Sequence, residues 1–87
     1  MKLTDETIEF RVALGEFLRE LRIEDMGIKN QRELAKKIGV SQPTISHVES
    51  GNIYASVYIL YKYFDLAGID HQEGIARLDK LLNDRGK

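Results

Sequence analysis

Residues 31–50 read QRELAKKIGVSQPTISHVES, and this stretch predicts two short helices joined by a tight turn. Leu34 and Ile38 recur at helical spacing in its first half, and Ile45 and Val48 do so in its second half. These four side chains are expected to form the apolar faces through which both helices pack on a common core.

The turn between the two helices is predicted to begin at Gly39, because glycine permits the positive φ angle that such a turn requires. Ala35 is small enough for the helices to cross closely, and Val40 fills the corner between them. Ser41 caps the second helix, and Pro43 lies in its first turn, where a missing N–H costs little. A short turn of this kind joins the helices of a helix-turn-helix unit.

The residues before this unit predict one long helix. It begins near Thr4 or Asp5, which are good helix caps, and it ends before Gly27. Asn30 then caps the first helix of the unit, with Glu33 placed as in a capping box. The apolar residues of the long helix recur at helical spacing: Leu14, Leu18 and Leu21.

The last third of the chain predicts two further helices. The fourth runs from about Ser56 to Leu66 and is closed by Gly68. The fifth begins after Asp70, with Glu73 completing a second capping box. Their expected inward-facing side chains are Leu60, Phe64, Ala67, Ile75, Leu78 and Leu82.

These elements predict an all-α fold, a compact five-helix bundle without strands. The 87 residues suffice for one domain, residues 1–87. Within it, residues 31–50 form the motif, residues 1–13 are an N-terminal helix extension, and residues 70–87 form a C-terminal helix that is a candidate dimerisation element. A domain of this size buries a modest core, so helix packing or a partner subunit must add stability.

The composition excludes several classes of site. The chain has no cysteine and only two histidines, which argues against disulfides and metal sites. It has no phosphate-binding glycine loop and no nucleophile elbow, so we expect neither an enzyme nor a cofactor. No apolar run is long enough for a membrane helix, and acidic residues stand where a secretory signal would be apolar. We therefore expect a cytoplasmic protein.

The charge is distributed unevenly. The net charge is −1, whereas proteins that bind nucleic acids usually carry a basic excess. Between residues 30 and 48, however, there are three basic residues, Arg32, Lys36 and Lys37, and one acidic residue, Glu33. The other acidic residues concentrate towards both ends of the chain. A locally basic segment can therefore face DNA while the acidic ends face away.

The landmarks of the motif resemble those of the lambda-repressor-like, Xre-type helix-turn-helix family of bacterial and phage regulators, over residues 22–69. The resemblance implies a bundle of about five helices whose recognition helix binds double-stranded DNA in the major groove. It also implies a buried ion pair between the positions of Arg22 and Glu49. The turn at residues 23–29 is longer than expected for the family, which leaves open that Arg22 is a solvated surface residue.

With Ile45 and Val48 facing inward, a rotation of about 100° per residue points Pro43, Ser46 and His47 outward, together with Ser50. Gln42 lies at the helix tip, where it can bond adenine, and His47 can donate to guanine or to a phosphate. In the family, the residue at the position of Gln31 bonds phosphate. The predicted DNA-contacting residues are Gln31, Arg32, Ser41, Gln42, Pro43, Thr44, Ser46, His47, Ser50 and Asn52.

Few groups are available to hold the DNA backbone. Members of the family often carry basic residues after the recognition helix, but residues 51–56 contain no cation. Phosphate binding is therefore assigned to Arg32, Lys36 and Lys37 and to helix N-termini, with Lys29 and Asn52 as weaker candidates. In particular, the first amides of the helix that Gln31 begins are expected to point at the DNA backbone. We expect weaker non-specific binding and a shallower salt dependence than in a basic relative.

The leading hypothesis is a sequence-specific transcriptional regulator, a repressor that binds a palindromic operator as a homodimer, because two half-sites give useful specificity. One alternative is an antitoxin that represses its own operon and binds a toxin protein. Another is a protein-interaction domain that has lost DNA binding, which the acidic balance favours. The dimer interface stays open between the fifth helix and the surface bearing Tyr54, Tyr58 and Tyr61.

Overall fold

The computed structural model describes residues 5–85, which form five α-helices and one π-helical turn. The elements are α1 at Asp5–Glu20, the π-helical turn at Leu21–Asp25, α2 at Gln31–Ile38, α3 at Gln42–Glu49, α4 at Val57–Ala67 and α5 at His71–Arg85. The prediction of an all-α fold is confirmed, and the described range contains no strand. Thr4, one of the two predicted starts of the first helix, lies outside the described residues.

The predicted helix boundaries depend on short side chains that satisfy the first amides of each helix. Asn30 Oδ1 accepts hydrogen bonds from the backbone N–H groups of Arg32 and Glu33, at 2.7 and 3.3 Å. Ser41, Ser56 and Asp70 cap α3, α4 and α5 in the same way. These caps fix where each helix begins, as the sequence predicted.

The core lies where α1 and α4 meet the helix-turn-helix unit, which consists of α2 and α3. Leu34 and Ile45 are fully buried, and Val40 packs against the core from the corner between α2 and α3. The largest completely buried side chains include Leu18, Leu21, Tyr63 and Phe64. The apolar positions predicted for the motif are therefore the ones that hold α3 in place.

The predicted inward faces of α4 and α5 are only partly right. On α4 the buried residues are Ile59, Tyr63 and Phe64, whereas Leu60 and Ala67 are half-buried. Tyr63 can be buried because its hydroxyl donates to the buried Glu49 carboxylate on α3. Helical spacing alone does not reveal this partner. On α5 Leu78 is buried and Leu82 half-buried, but Ile75 is 40% exposed.

The π-helical turn absorbs the extra length of the turn at residues 23–29. The backbone N–H of Met26 donates to the carbonyl of Leu21 at 2.9 Å, across five residues instead of four. The N–H of Ile28 then donates to the carbonyl of Arg22, also at 2.9 Å. Widening the last helical turn accommodates the insertion, so Arg22 keeps its inward direction.

Helix α1 crosses the end of α3 at a distance that only glycine permits. A Cβ atom added to Gly15 would lie 2.5 Å from the carbonyl oxygen of Glu49 and 2.7 Å from that of Val48. A Cβ atom added to Gly51, which has a φ of +82°, would lie 2.8 Å from the Cα atom of Val12. Backbone contacts therefore set the position of α1 against the end of α3.

Replacing Gly15→Ala should destabilise the protein by about 1–3 kcal/mol, because the added methyl group meets rigid backbone. Helix propensity alone predicts the opposite sign, a gain of about 1 kcal/mol for alanine over glycine in a helix. Urea denaturation followed by circular dichroism measures the change. Glu20→Ala, at an exposed position of α1, is the control and should leave stability almost unchanged. A stabilised Gly15→Ala variant would show that α1 does not approach α3 this closely.

Candidate nucleic-acid interface

Helix α3 presents one face to the core and the other to solvent. Ile45 and Val48 are 0% and 1% exposed and seat the helix on the bundle. On the opposite side Pro43, His47 and Ser50 are exposed, while Ser46 is half-buried. The solvent-facing side of α3 is thus the one that the sequence assigned to DNA.

A buried ion pair connects the end of α1 with the end of α3. The Arg22 guanidinium donates from Nε to Glu49 Oε2 and from Nη2 to Glu49 Oε1, both at 2.9 Å. The two residues are 3% and 6% exposed, so Arg22 is not the solvated surface residue of the alternative interpretation. Its Nη1 atom also donates to the carbonyls of Ile28 and Lys29, at 3.1 and 2.7 Å, which ties down the extended turn.

The Glu49 carboxylate accepts hydrogen bonds from two further helices. The Tyr63 hydroxyl on α4 donates to Oε2 at 2.8 Å, and the Gln31 amide on α2 donates to Oε1 at 3.0 Å. Burial raises the pKa of the Tyr63 phenol, and the negative charge of Glu49 raises it further. Tyr63 therefore stays protonated and acts as a permanent donor to this carboxylate.

The polar contacts continue from the core to the tip of the recognition helix. Gln42 Nε2 donates to Gln31 Oε1 at 3.0 Å, and Gln31 Nε2 donates to Glu49. Each amide is thus oriented by the group behind it. Gln42 retains its own Oε1 and a second N–H, which is the donor and acceptor pair that matches the major-groove edge of adenine.

The start of α2 differs from the expectation in one respect. Its first amides were expected to point at the DNA backbone, but those of Arg32 and Glu33 are occupied by the Asn30 side chain. The side chains of Asn30, Gln31, Arg32 and Gln42 instead line a shallow open depression between the starts of α2 and α3. The exposed Arg32 side chain is available there to a phosphate, whereas the capped amides of Arg32 and Glu33 are not.

Four of the predicted contact residues also hold the ends of α3. At its start, the hydroxyls of Ser41 and Thr44 lie 2.8 Å apart, and Ser41 Oγ accepts from the Thr44 N–H. At its end, Ser50 Oγ donates to the His47 carbonyl at 3.2 Å, and Asn52 Nδ2 lies 3.4 Å from His47 Nδ1. These side chains thus help to fix α3, and their contacts with DNA stay predictions.

Two residues of this region were absent from the sequence-based prediction. Tyr63 completes the buried network, and no sequence signal indicates a partner 14 residues away. Arg11 Nη1 donates to the Asn52 carbonyl at 3.1 Å, beside the end of α3. The sequence gives one weak indication that Arg11 is unpaired. The positions three and four residues before and after it carry no acidic side chain that could pair with it on the helix: Thr7, Ile8, Leu14 and Gly15.

A comparison with protein-family models matches residues 18–73 to a helix-turn-helix family. The chain belongs to the lambda-repressor-like, Xre-type helix-turn-helix family. The match includes both partners of the Arg22–Glu49 ion pair as well as the motif, and it confirms the resemblance seen in the sequence. A comparison with curated proteins found no match.

Membership of the Xre-type family supports a DNA-binding regulator. It agrees with the geometry of α3, whose outer face is free of core contacts along Pro43 and His47. None of the helices within residues 5–85 is long and apolar enough to cross a membrane.

Replacing Arg22→Met should cost about 3–5 kcal/mol of stability, because the buried Glu49 carboxylate loses its positive partner. The double variant Arg22→Met, Glu49→Leu removes both charges and should be less destabilised than Arg22→Met alone. Chemical denaturation of the wild type and the three variants, including Glu49→Leu, measures the coupling between the two sites. Additive losses would contradict a direct interaction between these side chains.

Proposed function

We propose that this Xre-type protein is a sequence-specific transcriptional repressor, not an enzyme, and that it binds a palindromic operator as a homodimer. The observation that carries the proposal is the orientation of Gln42. Its amide is held at the tip of α3 by a chain of hydrogen bonds through Gln31 to the buried Glu49. A base-reading side chain that is already oriented loses little conformational freedom when it binds.

The proposal assigns different tasks to the outer residues of α2 and α3. Gln42 bonds adenine, and His47 donates to guanine or to a phosphate. Pro43 offers apolar surface to a thymine methyl group. On α2, the exposed Arg32, Lys36 and Lys37 side chains bind phosphates on one side of the groove.

An exposed apolar surface after the recognition helix supports the homodimer. Val57 is 68% exposed, and three neighbours along the chain are about half exposed: Ile53 at 42%, Tyr54 at 50% and Tyr58 at 53%. Apolar side chains grouped in this way are typical of a protein contact. On α5, by contrast, Leu78 is already buried, so less apolar surface is left for a partner. We therefore assign the dimer contact to the start of α4.

Selection from a pool of random duplexes should enrich one palindromic site for the wild type. The double variant Gln42→Ala, His47→Ala should lose affinity for that site by about tenfold to a hundredfold per base contact removed. Its melting temperature should stay close to that of the wild type, because both side chains lie outside the apolar core. Gln72→Ala combined with Asn83→Ala, both exposed on α5, is the control and should keep full affinity. Failure of the wild type to enrich any site would refute the proposal and favour a protein-interaction domain.

Introducing a charge at the start of α4 tests the dimer. Val57→Asp should shift the protein from dimer to monomer in sedimentation equilibrium, because burying an unpaired carboxylate in an interface is costly. Ile75→Asp on α5 is the matched control, since Ile75 is also an exposed apolar residue, and it should leave the dimer intact. The reverse result would place the interface on α5.

An antitoxin remains the second candidate, and the same exposed surface of α4 favours it, because a protein partner is another occupant for exposed apolar side chains. A monomeric wild type that co-purifies with a second small protein, and loses it in Val57→Asp, would establish this alternative.

A further inference from the structure

Arg11 lies next to the carboxyl end of the recognition helix, although it is distant in sequence. Its Nη1 atom donates to the carbonyl of Asn52 at 3.1 Å. The Asn52 side chain in turn lies 3.4 Å from Nδ1 of His47, which is exposed on the outer face of α3. The guanidinium thus stands one residue away from the surface proposed to meet DNA.

The position of this guanidinium is fixed by several contacts. The backbone of Val12 lies so close to Gly51 that a Cβ atom there would be 2.8 Å from the Val12 Cα atom. The guanidinium carbon of Arg11 also lies 5.5 Å from the centre of the Tyr54 ring. A cation held in this way loses little side-chain entropy when it binds an anion.

The charge of Arg11 is not neutralised by any described residue. The ion pairs among residues 5–85 involve Arg22, His71 and Arg77. The Nε atom of Arg11 is buried and has no hydrogen-bond partner in the same range. That buried atom is out of reach of an anion, so the charge is presented to solvent by the two Nη groups, of which Nη1 also donates to the Asn52 carbonyl.

Among the described residues, the loop that follows the recognition helix supplies no second cation beside Arg11. Residues 51–56, which follow the recognition helix, contain no lysine or arginine. Lys29, Arg32, Lys36 and Lys37 all belong to α2 or to the turn before it. Without Arg11, neither α3 nor residues 51–56 would offer the DNA backbone a permanent positive charge.

We propose that Arg11 binds a DNA phosphate beside the carboxyl end of the recognition helix, and so supplies from α1 the cation that the following loop lacks. The inference rests on the proposed DNA binding. A guanidinium is well suited to this contact because its planar fork pairs with phosphate oxygens. The contact is with the backbone, so it should strengthen binding to every sequence equally.

The test compares Arg11→Gln and Arg11→Lys with the wild type. Affinities are measured by fluorescence anisotropy over a series of salt concentrations, on the duplex selected by the wild type and on a scrambled duplex. Arg11→Gln should weaken binding to both duplexes by about tenfold and reduce the slope of log K against log salt by about 1. Arg11→Lys keeps the charge and should keep the slope. Lys80→Gln, an exposed α5 residue, removes the same charge and should change neither quantity.

The outcomes separate this inference from the function on which it rests. If the wild type binds its site and Arg11→Gln leaves the slope unchanged, the inference is wrong and the proposed function stands. Equal weakening by Arg11→Gln and Arg11→Lys with an unchanged slope would also overturn it, because the side chain would then act only through its contacts with Asn52 and Tyr54. If the wild type binds no duplex, both proposals fail. Thermal melting of each variant measures any loss of folding separately.

Discussion

The Glu49 carboxylate is the group on which the arrangement of the bundle depends. It stands near the end of α3 and accepts hydrogen bonds from Arg22, from Gln31 on α2 and from Tyr63 on α4. A carboxylate at 6% exposure is stable only when its charge and lone pairs are satisfied. Because the partners come from different elements, the orientation of the recognition helix is specified by directional bonds in addition to apolar packing.

The same carboxylate links the interior to the outer surface. A hydrogen-bonded chain leads from it through Gln31 to Gln42, so the side chain at the tip of α3 is oriented by the core. At the opposite end of α3, Arg11 contributes a charge from the N-terminal helix extension, to which the sequence assigned no contact with DNA. The net charge of −1 therefore understates how basic the proposed DNA-facing surface is, since Arg11 adds to the charges of Arg32, Lys36 and Lys37 while the acidic residues concentrate towards both ends of the chain.

The sequence was most informative where short-range chemistry decides the structure. The caps at Asn30, Ser41, Ser56 and Asp70 act between residues a few positions apart, and their helices begin where predicted. It was least informative about contacts between distant residues. The buried face of α4 was misjudged because the partner of Tyr63 lies on another helix, and Arg11 was overlooked because the chain returns to it 41 residues later.

The number of residues in the π-helical turn at Leu21–Asp25 determines which side of α1 faces the rest of the bundle. One residue more or less in a helix rotates everything beyond it by about 100° and shifts it by about 1.5 Å. Helix α1 contacts α3 through Gly15 and presents Arg11 from the neighbouring turn. Both residues reach the end of α3 only if α1 has the right rotation about its own axis. The wide turn fixes the rotation of α1 about its own axis relative to the rest of the bundle. An insertion or deletion within it would rotate the whole of α1 by the same angle, so the helix would present a different row of side chains to α3.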